Sequence, residues 1–272
     1  MSELVLSALH VYPVKGLKGI DLEAGRCTER GLEHDRRWMV VDADGLFISQ
    51  RQIPLMATVW TDLADDALTL SAPDRESVAV PLEPKASASL RVRVWQSDCD
   101  ALPASPAADA WLSDYLGFTC RLVYMPDTTR RLSNPDYTDG ERLVGFADGF
   151  AYLVTTEASL AGLNARLDAR GARPVPMNRF RPNLVVRGGD AFAEDTWREL
   201  RVGDAVLQVA KPCGRCQVTT TDQATGEVTG PEPLATLATF RDSTEFGLRF
   251  GMNFVTVTAG AIRVGDAVEV VR

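Results

Sequence analysis

Short stretches in which apolar and polar residues alternate, each closed by a turn signal, fill the first 100 residues and constrain the fold more than any other feature of the chain. The runs are Leu4 to Tyr12, Trp38 to Asp42, Leu46 to Ser49, Ala57 to Leu63, Ala67 to Ser71, Ser77 to Pro81 and Leu90 to Gln96. Alternation sends successive side chains to opposite faces of a strand, and a turn such as Asp42-Ala43-Asp44-Gly45 joins neighbours as a hairpin rather than through a crossover helix. The expectation is an antiparallel barrel or sandwich. Ser105-Pro106 then opens a predicted helix through Leu116, with serine as cap, proline in the first turn, an apolar stripe at Trp111, Leu112, Tyr115 and Leu116, and Gly117 as terminator.

After a predicted strand at Cys120 to Tyr124, residues 125–149 are polar and lack any period, so they read as a long loop, and loops of that length commonly carry function. A strand at Ala151 to Thr155 runs into a helix from Glu157 to about Ala169, with a threonine cap and Leu160, Leu163 and Leu167 on one face. The hexapeptide Arg-Val-Gly-Asp-Ala-Val occurs at Arg201 to Val206 and again at Arg263 to Val268. Each copy is a Gly-Asp turn feeding a valine-rich strand, Ala205 to Ala210 and Ala267 to Val271. A short helix, Glu232 to Phe240, is expected between them.

The formal charge of -8 disfavours nucleic acid and anionic membranes as partners, since both attract a basic excess. No stretch approaches the roughly 18 apolar residues of a membrane span, and the opening Met-Ser-Glu-Leu lacks a signal-peptide pattern. A cytoplasmic location is the expectation. Five cysteines in a chain of this size read as free thiols rather than staples.

Lys211-Pro212-Cys213-Gly214-Arg215-Cys216 places two thiols beside two cations, an environment that favours a reactive or metal-bound thiolate. Four uses compete. A zinc site needs about four ligands, and the chain has only His10 and His34 to add, far away in sequence. A dithiol redox pair belongs at a helix start, whereas Cys216 leads into the β-branched run Val218-Thr219-Thr220-Thr221, which disfavours a helix. Inert buried thiols are the third use, and one cysteine ligand to a soft metal carried by an organic cofactor is the fourth. The fourth calls for basic and amide groups elsewhere to grip an anionic cofactor. Such groups stand at turns: Lys15 and Lys18, Arg36 and Arg37, and Arg179, Arg181 and Asn183.

These segments resemble the two-domain MOSC proteins, named for the molybdenum cofactor sulfurase C-terminal domain, and in particular the amidoxime-reducing components and the bacterial YcbX-like proteins. The matching stretches are Tyr12-Pro13-Val14-Lys15, Asp35-Arg36-Arg37-Trp38-Met39-Val40, Phe146-Ala147-Asp148-Gly149, Thr156-Glu157-Ala158-Ser159-Leu160, Phe180-Arg181-Pro182-Asn183, the Cys213 to Cys216 motif with Thr219-Thr220, and Gly203-Asp204 and Gly265-Asp266. The resemblance implies a mainly β fold with a few helices: an N-terminal β-barrel-type domain over residues 1–122, and a β-barrel MOSC domain over 123–272. It further implies Cys216 as the catalytic thiolate ligand of molybdenum, with Cys213 not bound to the metal. Lys15, Arg36, Arg181 and Asn183 would hold the pterin and phosphate of the molybdenum cofactor, Gly214 and Arg215 would contact it beside the ligand, and Gly149 and Phe150 would contact it through their backbone.

The implied activity is reduction of small N-hydroxylated substrates, with electrons from a separate donor protein of ferredoxin, flavoprotein or cytochrome type. A sulfur carrier with a Cys216 persulfide and a non-catalytic cofactor carrier are the alternatives. Lys211 and Asp148 are the side chains to consider as proton donors. Two departures from the pattern stand out: Gly16 replaces a hydroxyl residue, and Met252 stands where relatives often carry glutamine.

Overall fold

A computed structural model describes residues 3–64, 66–86 and 88–272 of the chain. Strands dominate, as expected of a mainly β protein with a few helices. The largest sheet has eight strands in the spatial order Val268–Val270, Glu199–Val202, Ala205–Gly214, Arg249–Thr258, Tyr152–Thr156, Leu184–Arg187, Val5–Val11 and Ile20–Leu22. Neighbours are antiparallel except Tyr152–Thr156 and Leu184–Arg187, which run parallel and are linked through the helix Glu157–Ala169. Parallel neighbours need such a crossover. The helix starts where expected: Thr156 accepts from Ser159 N at 3.0 Å, and Leu163 and Leu167 are fully buried.

A second, five-stranded sheet runs Leu90–Val94, Ser97–Pro103, Arg121–Tyr124, Trp38–Val41, Val14–Lys15. The helix Pro106–Leu116 and the meander Trp60–Leu63, Ala67–Ser71, Val78–Pro81 share a core with it through Trp38, Val40, Leu68, Leu112 and Leu122. Ser105 caps this helix by accepting from Ala108 N, and Gly117 ends it at a φ of 76° that favours glycine.

Sequence order and spatial order part company at the chain's beginning. Val5–Val11 and Ile20–Leu22 lie in the eight-stranded sheet, and Ala24–Thr28 pairs with Gly260–Arg263 near the other end of the chain. Leu6, Leu9, Cys27 and Leu32 therefore bury themselves beside Tyr152, Val154 and Phe254. A division after residue 122 also falls inside the strand Arg121–Tyr124, whose pairing with Trp38–Val41 keeps it in the N-terminal sheet.

Four local expectations are revised. Leu46 and Phe47 make only isolated bridges, and Pro54–Thr58 is a 3-10 helix with proline in its first turn. The helix expected at Glu232 to Phe240 shortens to Leu234–Leu237, between Pro233 and a loop. Gln217–Thr220 after Cys216 forms one 3-10 turn, because the Thr219 and Thr220 hydroxyls donate back to the carbonyls of Cys216 and Gln217 at 2.9 and 2.8 Å.

Candidate active site

A cleft forms where the end of Val14–Lys15, the turn around Asp35-Arg36, the loop 146–150, the segment 180–183 and the end of Ala205–Gly214 converge. Every residue that the resemblance assigns to the metal or the cofactor, from Lys15 to Cys216, lines it. Lys18, Arg37 and Arg179 do not. Lys18 lies over the Trp60 ring, Arg37 bonds Met125 O and Asp127, and Arg179 pairs with Asp222 at 3.0 Å. His10 and His34 are also outside it, His10 being paired with Asp21 at 2.7 Å.

One wall is organised by Tyr12. The guanidiniums of Arg36 and Arg181 lie 4.2 and 4.4 Å from its ring centroid, and its hydroxyl donates to Pro182 O at 3.0 Å. Both arginines lie outside the strands and hold left-handed φ values, 47° and 55°, which cost a non-glycine residue energy. Arg36 Nη1 donates to buried Asp35 at 2.6 Å and to Asn183 Oδ1 at 3.0 Å, while Asp35 accepts from Tyr12 N at 2.8 Å. Asn183 is 1% exposed, and its remaining bonds go to Leu153 N and His10 O, so it braces Arg36 against two strands. Burial pushes Tyr12 up to about 12 and Arg181 down to about 10, so at neutral pH the phenol keeps its proton and the guanidinium its charge.

Lys15, 8% exposed, pairs with Asp148, whose Oδ1 also accepts from Trp95 Nε1 at 3.0 Å. Burial lowers the Lys15 ammonium, and the Asp148 charge opposes that shift. Burial pulls the Asp148 carboxyl upward, but the Lys15 charge and the hydrogen bonds from Lys15 and Trp95 outweigh it and hold the group well below the usual carboxylate range. Asp148's side chain keeps 72% of its surface exposed, so the pairing, not burial, decides its charge. Asp148 is thus ionised at neutral pH and is not a proton donor there. The loop that carries it is shaped by Arg131, 5% exposed, which donates to Gly145 O at 2.5 Å, Ala147 O at 2.7 Å and Asp148 O at 3.2 Å.

The opposite wall carries the thiols. Cys213 and Cys216 are half-buried, unlike Cys27, Cys99 and Cys120, which sit in the core. Register breaks between Val209 and Lys211 and between Pro212 and Gly214 mark where the strand bends before delivering them. Gly214 is required there, since a Cβ would meet Phe246 O at 2.3 Å. Arg215 Nη1 donates to Cys213 Sγ at 2.8 Å and Nη2 to Phe180 O at 2.7 Å. Lys211 lies outside the cleft lining, its ammonium 4.6 Å from the Tyr137 ring centroid and 5.6 Å from that of Phe150. Met252 is 3% exposed in the core, while its neighbour Asn253 faces the cleft, so the strand's alternation moves any substrate-side role at this place to the asparagine. The Gly16 carbonyl accepts from Gln50 Nε2 at 2.7 Å, and Ser49 supplies a hydroxyl nearby in the lining.

Tyr12, Asp35, Arg131 and Trp95 were given no role by sequence reasoning. An arginine inside the aperiodic loop and an aspartate directly before Arg36 were the available signals; for Trp95, a bulky residue at a hairpin turn was the only one.

Residues 3–119 match the model of the MOSC N-terminal beta barrel domain, and residues 141–269 match that of the MOSC domain. The mitochondrial amidoxime-reducing component 1 of Mus musculus is 34% identical over 97% of this chain and 81% of its own length. The human component 1 and the Bos taurus component 2 are each 34% identical over 97% of the chain and 82% of their own length. The chain belongs to the two-domain MOSC family. Membership implies a molybdenum cofactor, and the residues of this MOSC cleft fit one. Arg181 and Arg215 make no ion pair among the described residues, and Arg215 Nε is buried without a partner. A Cβ built on Gly149 meets nothing within 4 Å, so the backbone there is open to a ligand. Anionic oxygens suit the guanidiniums, and a soft metal suits the thiol.

Proposed function

We propose that this chain is a molybdenum-cofactor-dependent oxidoreductase that reduces N-hydroxylated compounds, namely amidoximes, hydroxylamines and N-hydroxylated bases. The observation that carries this is the half-buried Cys216 thiol in a cleft whose other wall holds the buried Lys15 and the partly buried Arg36 and Arg181. Relatives named for amidoxime reduction, 34% identical across 97% of the chain, support the same reading.

When bound, the cofactor supplies the two-electron chemistry that opens the N–O bond: two electrons and two protons convert R–NH–OH to R–NH2 and water. Cys216 supplies a thiolate ligand, and Cys213, hydrogen-bonded to Arg215, stays outside the ligand set. Lys15, Arg36 and Arg181 neutralise the cofactor's anionic groups, with Tyr12 and Asn183 fixing the two guanidiniums in place. Asp148, ionised, orients Lys15 and Trp95 rather than giving up a proton. Electrons come from a separate donor protein of ferredoxin, flavoprotein or cytochrome type. The location we propose is cytoplasmic, supported by five cysteines that are all free.

Anaerobic incubation of molybdenum-loaded protein with benzamidoxime and dithionite tests the activity. Benzamidine should accumulate with multiple turnovers. Absence of product with the cofactor confirmed bound overturns the proposal, as does metal-free protein carrying a labile sulfane sulfur on Cys216.

A further inference from the structure

Trp95 occupies a place that local chemistry does not favour. Val94 pairs with Ser97, so the hairpin between Leu90–Val94 and Ser97–Pro103 turns on two residues, Trp95 and Gln96. Such turns select asparagine or glycine because the backbone enters the left-handed region. Trp95 adopts it at φ 55° despite its bulk. What holds it there lies at the cleft: its Nε1 donates to Asp148 at 3.0 Å, and Phe47 meets it edge-on at 4.7 Å between centroids. The indole is nevertheless 41% exposed and lines the same cleft as Cys216.

The two ends of the cleft differ in burial. Lys15 and Arg36 have side chains 10% and 13% exposed, which suits a ligand that stays, whereas Trp95 and the exposed Arg51 stand at the open rim, which suits a ligand that exchanges. The indole face already takes a planar, delocalised group, the Arg51 guanidinium, 4.6 Å from the ring. Amidoximes and N-hydroxylated bases carry a planar π system of the same kind, and hydroxylamine itself carries none.

We propose that Trp95 is a specificity-determining residue: a stacking platform at the rim that favours planar, conjugated N-hydroxylated substrates over small hydroxylamines. This rests on the reductase activity proposed above. Stacking acts on binding of the substrate, so its loss appears in KM more than in kcat.

The test is steady-state reduction of benzamidoxime and of hydroxylamine by molybdenum-loaded wild type, Trp95→Leu and Trp95→Phe, with molybdenum content and thermal unfolding measured on each. Trp95→Leu should raise KM for benzamidoxime about tenfold, leave kcat within about twofold, and leave kcat/KM for hydroxylamine within about twofold. Trp95→Phe should recover the benzamidoxime KM to within about threefold, since a phenyl ring still stacks but cannot donate to Asp148. Equal losses on both substrates, no change on either, or a Phe variant as impaired as the Leu variant would overturn the platform and leave the reductase standing. A loaded wild type that reduces neither substrate sinks both proposals.

Discussion

On one wall of the cleft, the buried Lys15 and the partly buried Arg36 and Arg181 are tied to Asp148, Asp35, Asn183 and the Tyr12 ring; on the other, Cys213 and Cys216, also partly buried, stand at the end of a bulged strand. The difference follows from what each group costs to bury. A cation taken out of water needs its partners in place on folding, because an unpaired buried charge is expensive. A thiol is nearly apolar and needs no such network, so the strand can leave it reachable. The basic wall is therefore part of the protein's stability, and the thiol wall is mainly part of its chemistry.

The largest expected effect separates the two cysteines of the thiol wall. Cys216→Ala should lose all detectable benzamidoxime reduction in initial-rate assays, while Cys213→Ala keeps most of it. The walls themselves separate in denaturant unfolding. Arg36→Leu strands the Asp35 carboxylate, 3% exposed, and should cost about 3–5 kcal/mol. Arg215→Leu removes bonds to Phe180 O and Cys213 Sγ and a cation–π contact with the Phe180 ring, and should cost about 1 kcal/mol. Equal losses would break the contrast.

Two glycines sharpen it further. Gly214→Ala drives a Cβ into Phe246 O and should destabilise the protein by about 1–3 kcal/mol. Gly149→Ala enters open space, so cofactor-free stability should move by no more than about 0.5 kcal/mol, with the loss appearing in molybdenum retained after gel filtration.

How far the sequence reached depends on the range of the forces involved. The helices Pro106–Leu116 and Glu157–Ala169 were legible because their caps, Ser105 and Thr156, and their apolar stripes act within a few residues. Ala24–Thr28 was not named as a strand, because its partner Gly260–Arg263 lies at the far end of the chain and its own alternation is weak. At the site, cations at turns and the cysteine motif were visible as chemistry. That they share one cleft is a product of long-range pairing: Tyr12 meets both Arg36 and Arg181 across the sheet, and Arg131 shapes the loop of Asp148 from within an aperiodic stretch. Asn183, expected to contact the cofactor, lines the cleft and also bonds Arg36, Leu153 and His10.

A further effect concerns pH. Burial raises Tyr12 to about 12 and also raises Tyr124 and Tyr152. Each keeps its proton in the folded state and releases it near pH 10 when unfolded, so the unfolded chain binds fewer protons and stability falls as pH rises from about 10 to 12. Melting temperatures across that window should decline, and Tyr12→Phe should flatten the slope. A wild-type slope that Tyr12→Phe leaves unchanged would show that the phenol between the two guanidiniums titrates as if exposed.

Metal content tests the central claim most directly. Elemental analysis of protein produced with cofactor supply should find about one molybdenum per chain in wild type and in Cys213→Ala, and essentially none in Cys216→Ala, because one thiolate provides the ligand. Equal loss in both variants, or full retention in Cys216→Ala, would contradict the assignment of Cys216 as the residue that holds the metal.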